Sequence, residues 1–218
     1  MSKQSLYLSK HLQTEYSVVY KELCKVLDES GVNHSLLPYS NDIWARDFMP
    51  VHVGGGQYLG YIYKPDYLVD KVRMRKYITE QKMAIIDLPI NYITQLDIVL
   101  DGGNFVFCDD KMIMTDKIFS ENPNVKQSTL INTLENACQK ELILIPWDME
   151  EEYGHADGMV SYIGNGKLLL NNYCQMGKDG KDFSKRLHKY AQPLIKNGGA
   201  LHCITWELFC KDAEEIAV

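Results

Sequence analysis

Four polar segments of the sequence each contain one residue type that takes part in acid–base or nucleophilic chemistry. Asp47 lies in NDIWARDFMP, Asp101 in LDGGN, His155 in YGHADG and Cys203 in LHCITWEL. A cysteine thiolate is a strong nucleophile even when it is a small fraction of the thiol, and histidine exchanges protons near neutral pH. A carboxylate can orient an imidazole or hold a cation. The four residues together form a set that predicts catalysis by a thiol.

These four residues recur at a nearly constant spacing. Asp47 and Asp101 are 54 positions apart, Asp101 and His155 are again 54 apart, and His155 and Cys203 are 48 apart. A period of about 50 residues lies in the range of repeat architectures. A unit of that size cannot bury its own apolar face, so we expect the units to pack on one another. If they surround an axis, the four residues converge near its centre.

Each polar segment is expected to follow a helix and a strand and to precede a hairpin. The first copy has helical spacing at Tyr16, Val19, Leu23, Val26 and Leu27, a C-cap at Gly31, the apolar run Ser35–Tyr39, and the hairpin strands MPVHV and QYLGYIY. The second has a helix over Tyr67–Gln81, the run AIIDLPI, and the strands FVFC and KMIMT. The third has the helix STLINTLENACQKE, the run LILIPW, and the strands MVSYI and KLLLNN. The fourth has a helix near Phe183–Ile195.

The motifs resemble those of the agmatine deiminase and bacterial-type peptidylarginine deiminase family, within the guanidino-group-modifying (pentein) superfamily. Four family motifs are matched in the family's order: WxRDxxP by Trp44, Arg46, Asp47 and Pro50; (E/D)GGN by Asp101, Gly102, Gly103 and Asn104; GHxD by Gly154, His155 and Asp157; and GGxxHCxT by Gly198, Gly199, His202, Cys203 and Thr205. Asp101 stands where agmatine deiminases usually have Glu.

The resemblance implies an α/β fold of pentein type, in which repeated helix–strand–hairpin units form an α/β-propeller around a central polar pocket. The whole chain, residues 1–218, is then a single deiminase-like domain. The chain is shorter than typical agmatine deiminases, and the interval between GHAD and Cys203 predicts that about one unit is missing. Neither a metal nor another cofactor is implied.

The resemblance also implies a mechanism. Cys203 attacks the central carbon of a guanidinium, His155 exchanges protons with the leaving amine and with water, and Asp101 orients the imidazole. Asp47 and Asp157 hold the cation, because a carboxylate pairs with two guanidinium N–H donors in fork geometry. Two further residues, Trp44 and Asn104, are predicted to contact the substrate. The products are a ureido compound and ammonia.

Other interpretations stay open. The same thiol chemistry would serve amidine transfer to an amine, or deimination of peptidyl or methylated arginine. A non-catalytic descendant that binds a cation or a partner, and a cysteine peptidase or amidase, are further alternatives. Cys203 lies in an apolar stretch, which is typical of a structural cysteine. No function is predicted for the other cysteines or for three of the histidines: Cys24, Cys108, Cys138, Cys174, Cys210, His34, His52 and His188.

Composition limits the class of protein further. The formal net charge is −6 with acidic and basic residues interspersed, which argues against nucleic-acid binding and is compatible with a cationic small-molecule substrate. Six cysteines without a CxxC pair, together with an N-terminus that lacks an apolar signal segment, predict a cytoplasmic protein with reduced thiols. No apolar run is long enough for a membrane span. An incomplete propeller would expose apolar edges, so we also consider a homodimer.

Overall fold

The computed structural model describes residues 3–90, 92–149, 153–171 and 206–210. These residues fall into two compact units. The described residues within Met1–Lys64, Leu68–Asp97 and His202–Val218 form the first unit, and the described residues within Pro65–Tyr67 and Ile98–Leu201 form the second. The prediction of one domain over residues 1–218 stays a prediction.

Short strands and helices alternate along the described chain. The strands are β1 (Lys3–Ser9), β2 (Asn33–Leu37), β3 (Val51–Gly54), β4 (Gln57–Ile62), β5 (Tyr92–Val99), β6 (Val106–Cys108), β7 (Lys111–Thr115), β8 (Glu141–Ile145), β9 (Val160–Tyr162), β10 (Leu168–Leu170) and β11 (Trp206–Cys210). The α-helices are α1 (Lys10–Glu15), α2 (Ser17–Glu29), α3 (Ala45–Phe48), α4 (Asp66–Val69), α5 (Gln81–Ala84), α6 (Lys117–Glu121) and α7 (Gln127–Cys138). Two 3-10 turns lie at Arg75–Tyr77 and Gly102–Asn104.

The sheets show how the repeat is built. Each of the sheets β3-β4-β5 and β6-β7-β8 consists of a hairpin and one further strand. A helical segment lies between the hairpin and that strand along the chain. β8 runs parallel to β7, from Lys111↔Glu141 to Thr115↔Ile145. The predicted repeat is therefore present in these two sheets, but each structural unit begins at a different element. The predicted unit begins with the helix, whereas the structural unit begins with the hairpin and ends with the polar segment after its last strand. The polar segments therefore connect one sheet to the next.

In the first unit, α2 packs on the sheet formed by β1, β2 and β11. The helix is where the sequence predicts it, and Gly31, at φ +67°, follows its C-terminus as expected. Tyr20, Leu23, Cys24 and Leu27 face the buried Leu6, Leu8 and Leu12. This stripe has the i, i+3, i+4, i+7 spacing of one helix face. Three residues of the predicted pattern, Tyr16, Val19 and Val26, are instead 49%, 51% and 56% exposed.

The segment between β4 and β5 differs from its prediction. The expected long helix over Tyr67–Gln81 is replaced by α4, a 3-10 turn and α5. Residues between α4 and the turn are solvent-exposed, with Val72 at 73%, so no continuous apolar stripe supports a long helix. The run AIIDLPI is not a strand, because Pro89 cannot donate to a sheet ladder. The strand instead lies at β5.

In the second unit, the predicted elements are confirmed over α7, β8 and both hairpins. Leu130, Leu134 and Cys138 form the buried face of α7. Side chains from β6 to β10 form a second core, which includes Val106, Ile113, Ile145, Val160 and Leu168. Within the described ranges, no helix is long and apolar enough to cross a membrane.

We expect Asn122→Ala to destabilise the protein by about 3 kcal/mol, because buried backbone groups lose their partners. The Asn122 side chain is 6% exposed. Its Oδ1 accepts from the Val99 amide at 2.8 Å, and its Nδ2 donates to the Val99 and Ile118 carbonyls at 2.8 and 2.9 Å. Urea unfolding measures the change. Asn136→Ala, at an exposed position of α7, is the control and should change the unfolding free energy by less than about 0.5 kcal/mol. Equal effects of the two substitutions would contradict this assignment.

Candidate active site

Asp101 and His155 lie in contact in the second unit. Asp101 follows β5, which ends two residues earlier at Val99, and its Oδ1 caps the 3-10 turn by accepting from the Gly103 amide at 3.2 Å. Its Oδ2 lies 2.9 Å from His155 Nε2, and the Asp101 and His155 side chains are 2% and 13% exposed. A carboxylate this close orients an imidazole and favours its charged form. The distance is that of an ion pair between a carboxylate and an imidazolium ring.

A third side chain shares the same carboxylate oxygen. The Tyr67 hydroxyl donates to Asp101 Oδ2 at 2.6 Å. Its ring packs edge-on against His155, with 6.0 Å between the ring centroids, and against Tyr153 at 4.9 Å. Tyr67 thus touches both members of the pair. The sequence does not identify Tyr67 as a site residue, because it lies inside a predicted helix and nothing in its local sequence marks it.

The loop that carries His155 is held by Asn104. Asn104 is 2% exposed. Its Oδ1 accepts from the backbone amides of Thr115 at 2.8 Å and of Ala156 at 3.2 Å. A single side chain thereby joins the GGN turn, the end of β7 and the His155 loop. The predicted contact of Asn104 with substrate stays a prediction, since the contacts present in the structure are structural.

Two more hydrogen bonds complete this anchoring. The Thr115 hydroxyl donates to the Gly154 carbonyl at 2.7 Å, and the Asp157 amide donates to the Gly103 carbonyl at 3.1 Å. Asp157 is 8% exposed, so its carboxylate is largely removed from water. The loop backbone is irregular but hydrogen-bonded, as buried loops must be. That Asp157 holds a guanidinium stays a prediction.

A buried ammonium group lies beside this loop. Lys117 is 2% exposed and donates to Asp66 Oδ1 and to the Tyr153 carbonyl, both at 2.8 Å. Its Nζ also lies 3.3 Å from Glu121 Oε1. The rings of Tyr67 and Trp147 flank it, with centroids 5.1 and 5.5 Å from Nζ. Such cation–aromatic contacts are stronger when water is excluded. The i, i+4 spacing of Lys117 and Glu121 was the available sequence signal for this ion pair.

The Glu121 carboxyl group is strongly perturbed by its position. Its side chain is 4% exposed. Burial raises its pKa from 4.5 to about 7, the ammonium of Lys117 opposes this rise, and the charges of Asp101 and Asp66 add to it. An acidic group with a raised pKa is held partly protonated near neutral pH.

In the first unit, Asp47 lies in the short helix α3. Asp47 is 6% exposed, whereas Trp44, which precedes the helix, is 43% exposed. The Tyr61 hydroxyl lies 2.7 and 2.8 Å from the carbonyl oxygens of Asp47 and Met49, and the Gln81 amide donates to the Phe48 carbonyl at 3.0 Å. These bonds fix the backbone around Asp47. The binding roles of Asp47 and Trp44 stay predictions.

The predicted nucleophile, Cys203, lies outside the described residues, as do the motif residues Gly198, Gly199, His202 and Thr205. Of the predicted site residues, the second unit therefore contains Asp101, Asn104, His155 and Asp157, all linked through the GGN turn and the His155 loop.

We expect stability to depend on pH through Glu121. Because its folded pKa is raised, its contribution is fully present below pH 4.5 and is lost as pH rises through about 7. Between pH 5 and pH 8 the native protein should lose about 2 kcal/mol more unfolding free energy than Glu121→Gln, which stays neutral. Urea unfolding at both pH values tests this. Glu22→Gln, at an exposed position of α2, is the control and should follow the native protein. Parallel pH profiles for the native protein and Glu121→Gln would refute the assignment.

We expect Gly154→Ala to destabilise the protein by about 3 kcal/mol, from positive φ and overpacking together. Gly154 has φ +66°, and a Cβ there would lie 2.5 Å from Trp147 Nε1 and 2.7 Å from Lys117 Cδ. Thermal and urea unfolding measure the loss. Gly158→Ala is the matched control in the same loop, since its Cβ would first meet the His155 carbonyl at 3.6 Å. If both variants lose the same unfolding free energy, the close contacts with Trp147 and Lys117 are not the reason that position 154 requires glycine.

Comparison with known proteins identifies the fold. No protein-family model and no curated protein sequence matches the chain. Among solved structures, a cysteine-to-serine variant of C. jejuni agmatine deiminase with substrate bound matches with a TM-score of 0.65 and 16% identity, over 86% of this chain and 69% of that chain. A second structure of C. jejuni agmatine deiminase matches with a TM-score of 0.62 and 16% identity, over 96% and 94% of the two chains.

A different guanidino-modifying enzyme matches as well. The N-terminal domain of ArgZ, a cyanobacterial arginine dihydrolase, matches with a TM-score of 0.57 and 11% identity, over 94% of this chain and 98% of that chain. Closure of a propeller and the absence of one unit stay predictions. The resemblance in the motifs is confirmed at the level of fold: the chain has the mixed α/β architecture of agmatine deiminases and other guanidino-modifying enzymes of the pentein superfamily.

Proposed function

We propose that this protein hydrolyses the guanidinium group of agmatine or a related arginine derivative, giving a ureido compound and ammonia. The observation that carries the proposal is the 2.9 Å contact of His155 Nε2 with the buried Asp101 carboxylate. Support comes from the fold, which is shared with enzymes that modify guanidino groups. The nucleophile is Cys203, the cysteine of the fourth polar motif.

Attack on a guanidinium needs a strong nucleophile and a rigidly held cation, because resonance spreads the positive charge over three nitrogens. Asp47 and Asp157 are the carboxylates that we assign to the cation. Both are largely buried, at 6% and 8% exposure. A planar cation with several N–H donors complements such carboxylates, since paired N–H donors fit the two carboxylate oxygens in fork geometry.

The reaction then follows two stages. The Cys203 thiolate adds to the guanidinium carbon, and the tetrahedral adduct collapses as His155 gives a proton to the departing nitrogen, which leaves as ammonia. The thiouronium intermediate keeps the carbon bonded to sulfur. His155 next takes a proton from water, and the resulting hydroxide adds to the same carbon. The C–S bond then breaks to return the thiolate, and the ureido product forms as the added O–H group gives its proton to solvent. One imidazole thus serves as acid and then as base.

Asp101 and Tyr67 position that imidazole. Asp101 holds the ring through Nε2, so proton exchange with the substrate runs through Nδ1. Tyr67 donates to the same Oδ2 that faces His155, so the hydroxyl and the imidazole share one carboxylate oxygen and each limits where the other can lie. A ring held in one position suits a group that must both give and accept a proton in one cycle.

We expect ammonia release from one member of a panel of agmatine, free arginine and a blocked peptidyl-arginine. Cys203→Ala should abolish the release, and His155→Asn should lower kcat by at least about a hundredfold, as loss of a general acid–base does. Coupled ammonia detection and mass analysis of the ureido product measure both. Cys24→Ala is the control thiol variant and should keep native activity.

Three outcomes separate the alternatives. Ammonia released equally by the native protein and Cys203→Ala would rule out the thiol mechanism. Turnover only after addition of an amine acceptor, with transfer of the amidine, would replace hydrolysis by amidine transfer. If the folded protein releases no ammonia from any compound of the panel, the enzymatic proposal is refuted in favour of cation binding. Because carboxylate and imidazole groups also bind metals, activity that disappears in a chelator would contradict the cofactor-free mechanism.

A further inference from the structure

A second cysteine, histidine and aspartate lie together on the surface of the first unit. Cys24 and Asp28 are one helical turn apart on α2, and His34 lies on β2. His34 Nδ1 lies 3.8 Å from Cys24 Sγ, and His34 Nε2 lies 3.0 Å from Asp28 Oδ1. The imidazole therefore bridges the two helical residues, with one ring nitrogen on each. None of these three residues belongs to the deiminase motifs.

The hydrogen-bond roles follow from the chemistry of the partners. An ionised carboxylate only accepts, so Nε2 carries the proton and donates to Asp28. In the neutral ring Nδ1 is then an acceptor, and it faces the Cys24 sulfur. A base that contacts a thiol, and is itself oriented by a third group, is the arrangement that activates a nucleophile.

A fourth group lies near the sulfur. Tyr20 is one helical turn before Cys24 on α2, and its interaction with the Cys24 thiol is the largest cause of the raised pKa of Tyr20. A hydroxyl donor and an imidazolium N–H together can stabilise negative charge as it forms on sulfur. The site thus contains both a proton acceptor and a charge-stabilising donor.

Two other cysteines of the described chain have different surroundings. Cys108 and Cys138 are buried, and burial raises the pKa of each thiol to about 12. Cys24 is partly exposed and lies at the edge of the apolar cluster under α2. Cys24 is thus less buried than the other two thiols, and it has an imidazole beside its sulfur.

We propose that Cys24 is a separate nucleophilic thiol, activated by His34 and Asp28, that is modified by small peroxides such as hydrogen peroxide. His34 Nδ1 takes the thiol proton as sulfur attacks one peroxide oxygen. The S–O bond forms, the O–O bond breaks, and the leaving hydroxide takes the proton from His34 to become water. Sulfur loses two electrons and the peroxide gains two, so Cys24 becomes a sulfenic acid.

The test measures hydrogen peroxide oxidation of Cys24 in the full chain at pH 7. A dione probe traps the sulfenic acid, and peptide mass spectrometry quantifies it at each cysteine. The reference is the same cysteine in protein unfolded by urea, where His34 and Asp28 are distant. We expect Cys24 in the folded protein to react about tenfold faster than in the unfolded chain, and Cys108 and Cys138 to react more slowly than in that chain.

Two variants test the assigned roles. His34→Gln should return the Cys24 rate to the unfolded value, since glutamine cannot serve as the base. Asp28→Asn should give a smaller decrease, and because Asp28 is 72% exposed this variant remains informative if His34→Gln fails to fold. A folded-state rate at or below the urea rate would overturn the proposal. Native rates in both folded variants would overturn it too. None of these outcomes depends on whether the protein hydrolyses guanidino compounds.

Discussion

The buried ammonium group of Lys117 is the constraint on which the second unit depends. A charge in a dry interior is tolerated only when oxygens surround it, and here three segments far apart in sequence supply them: Asp66, Glu121 and the Tyr153 carbonyl. The contacts of these oxygens with the Lys117 ammonium group fix where the three segments lie. The ammonium group also fixes the ring of Tyr67, and through its hydroxyl the carboxylate of Asp101.

The same constraint explains a motif residue that has no side chain. Lys117 and Trp147 occupy the space next to Gly154, so any side chain at that position would collide with them. The glycine before His155 is thus required by the ion cluster as well as by its backbone angle. Gly154 thus belongs both to the GHxD motif and to the packing around Lys117. A substitution at this position would affect both.

Counting along the sequence was enough to predict that Asp101 and His155 belong together, because a repeat places equivalent positions on equivalent elements. The hairpins and α7 were also predictable, since turn residues and apolar spacing are local signals. Lys117 and Tyr67 were not, because their roles arise from contacts between residues 34 to 51 positions apart. The strand β5 was misplaced because AIIDLPI is more apolar than the true strand, and only Pro89 argues against it. Asn104 is predicted from its motif to contact the substrate, whereas its contacts in the structure are hydrogen bonds to the backbone amides of Thr115 and Ala156.

The pairing of β1 has a consequence for biosynthesis. β1 lies between β2 and β11, and its residues from Lys3 to Tyr7 pair with residues from Cys210 to Trp206. On the ribosome, β2 emerges soon after β1, whereas β11 emerges about two hundred residues later. Throughout that interval one edge of β1 presents unpaired amides and carbonyls, and such edges invite association with other chains. Pairing with β11 removes that exposed edge.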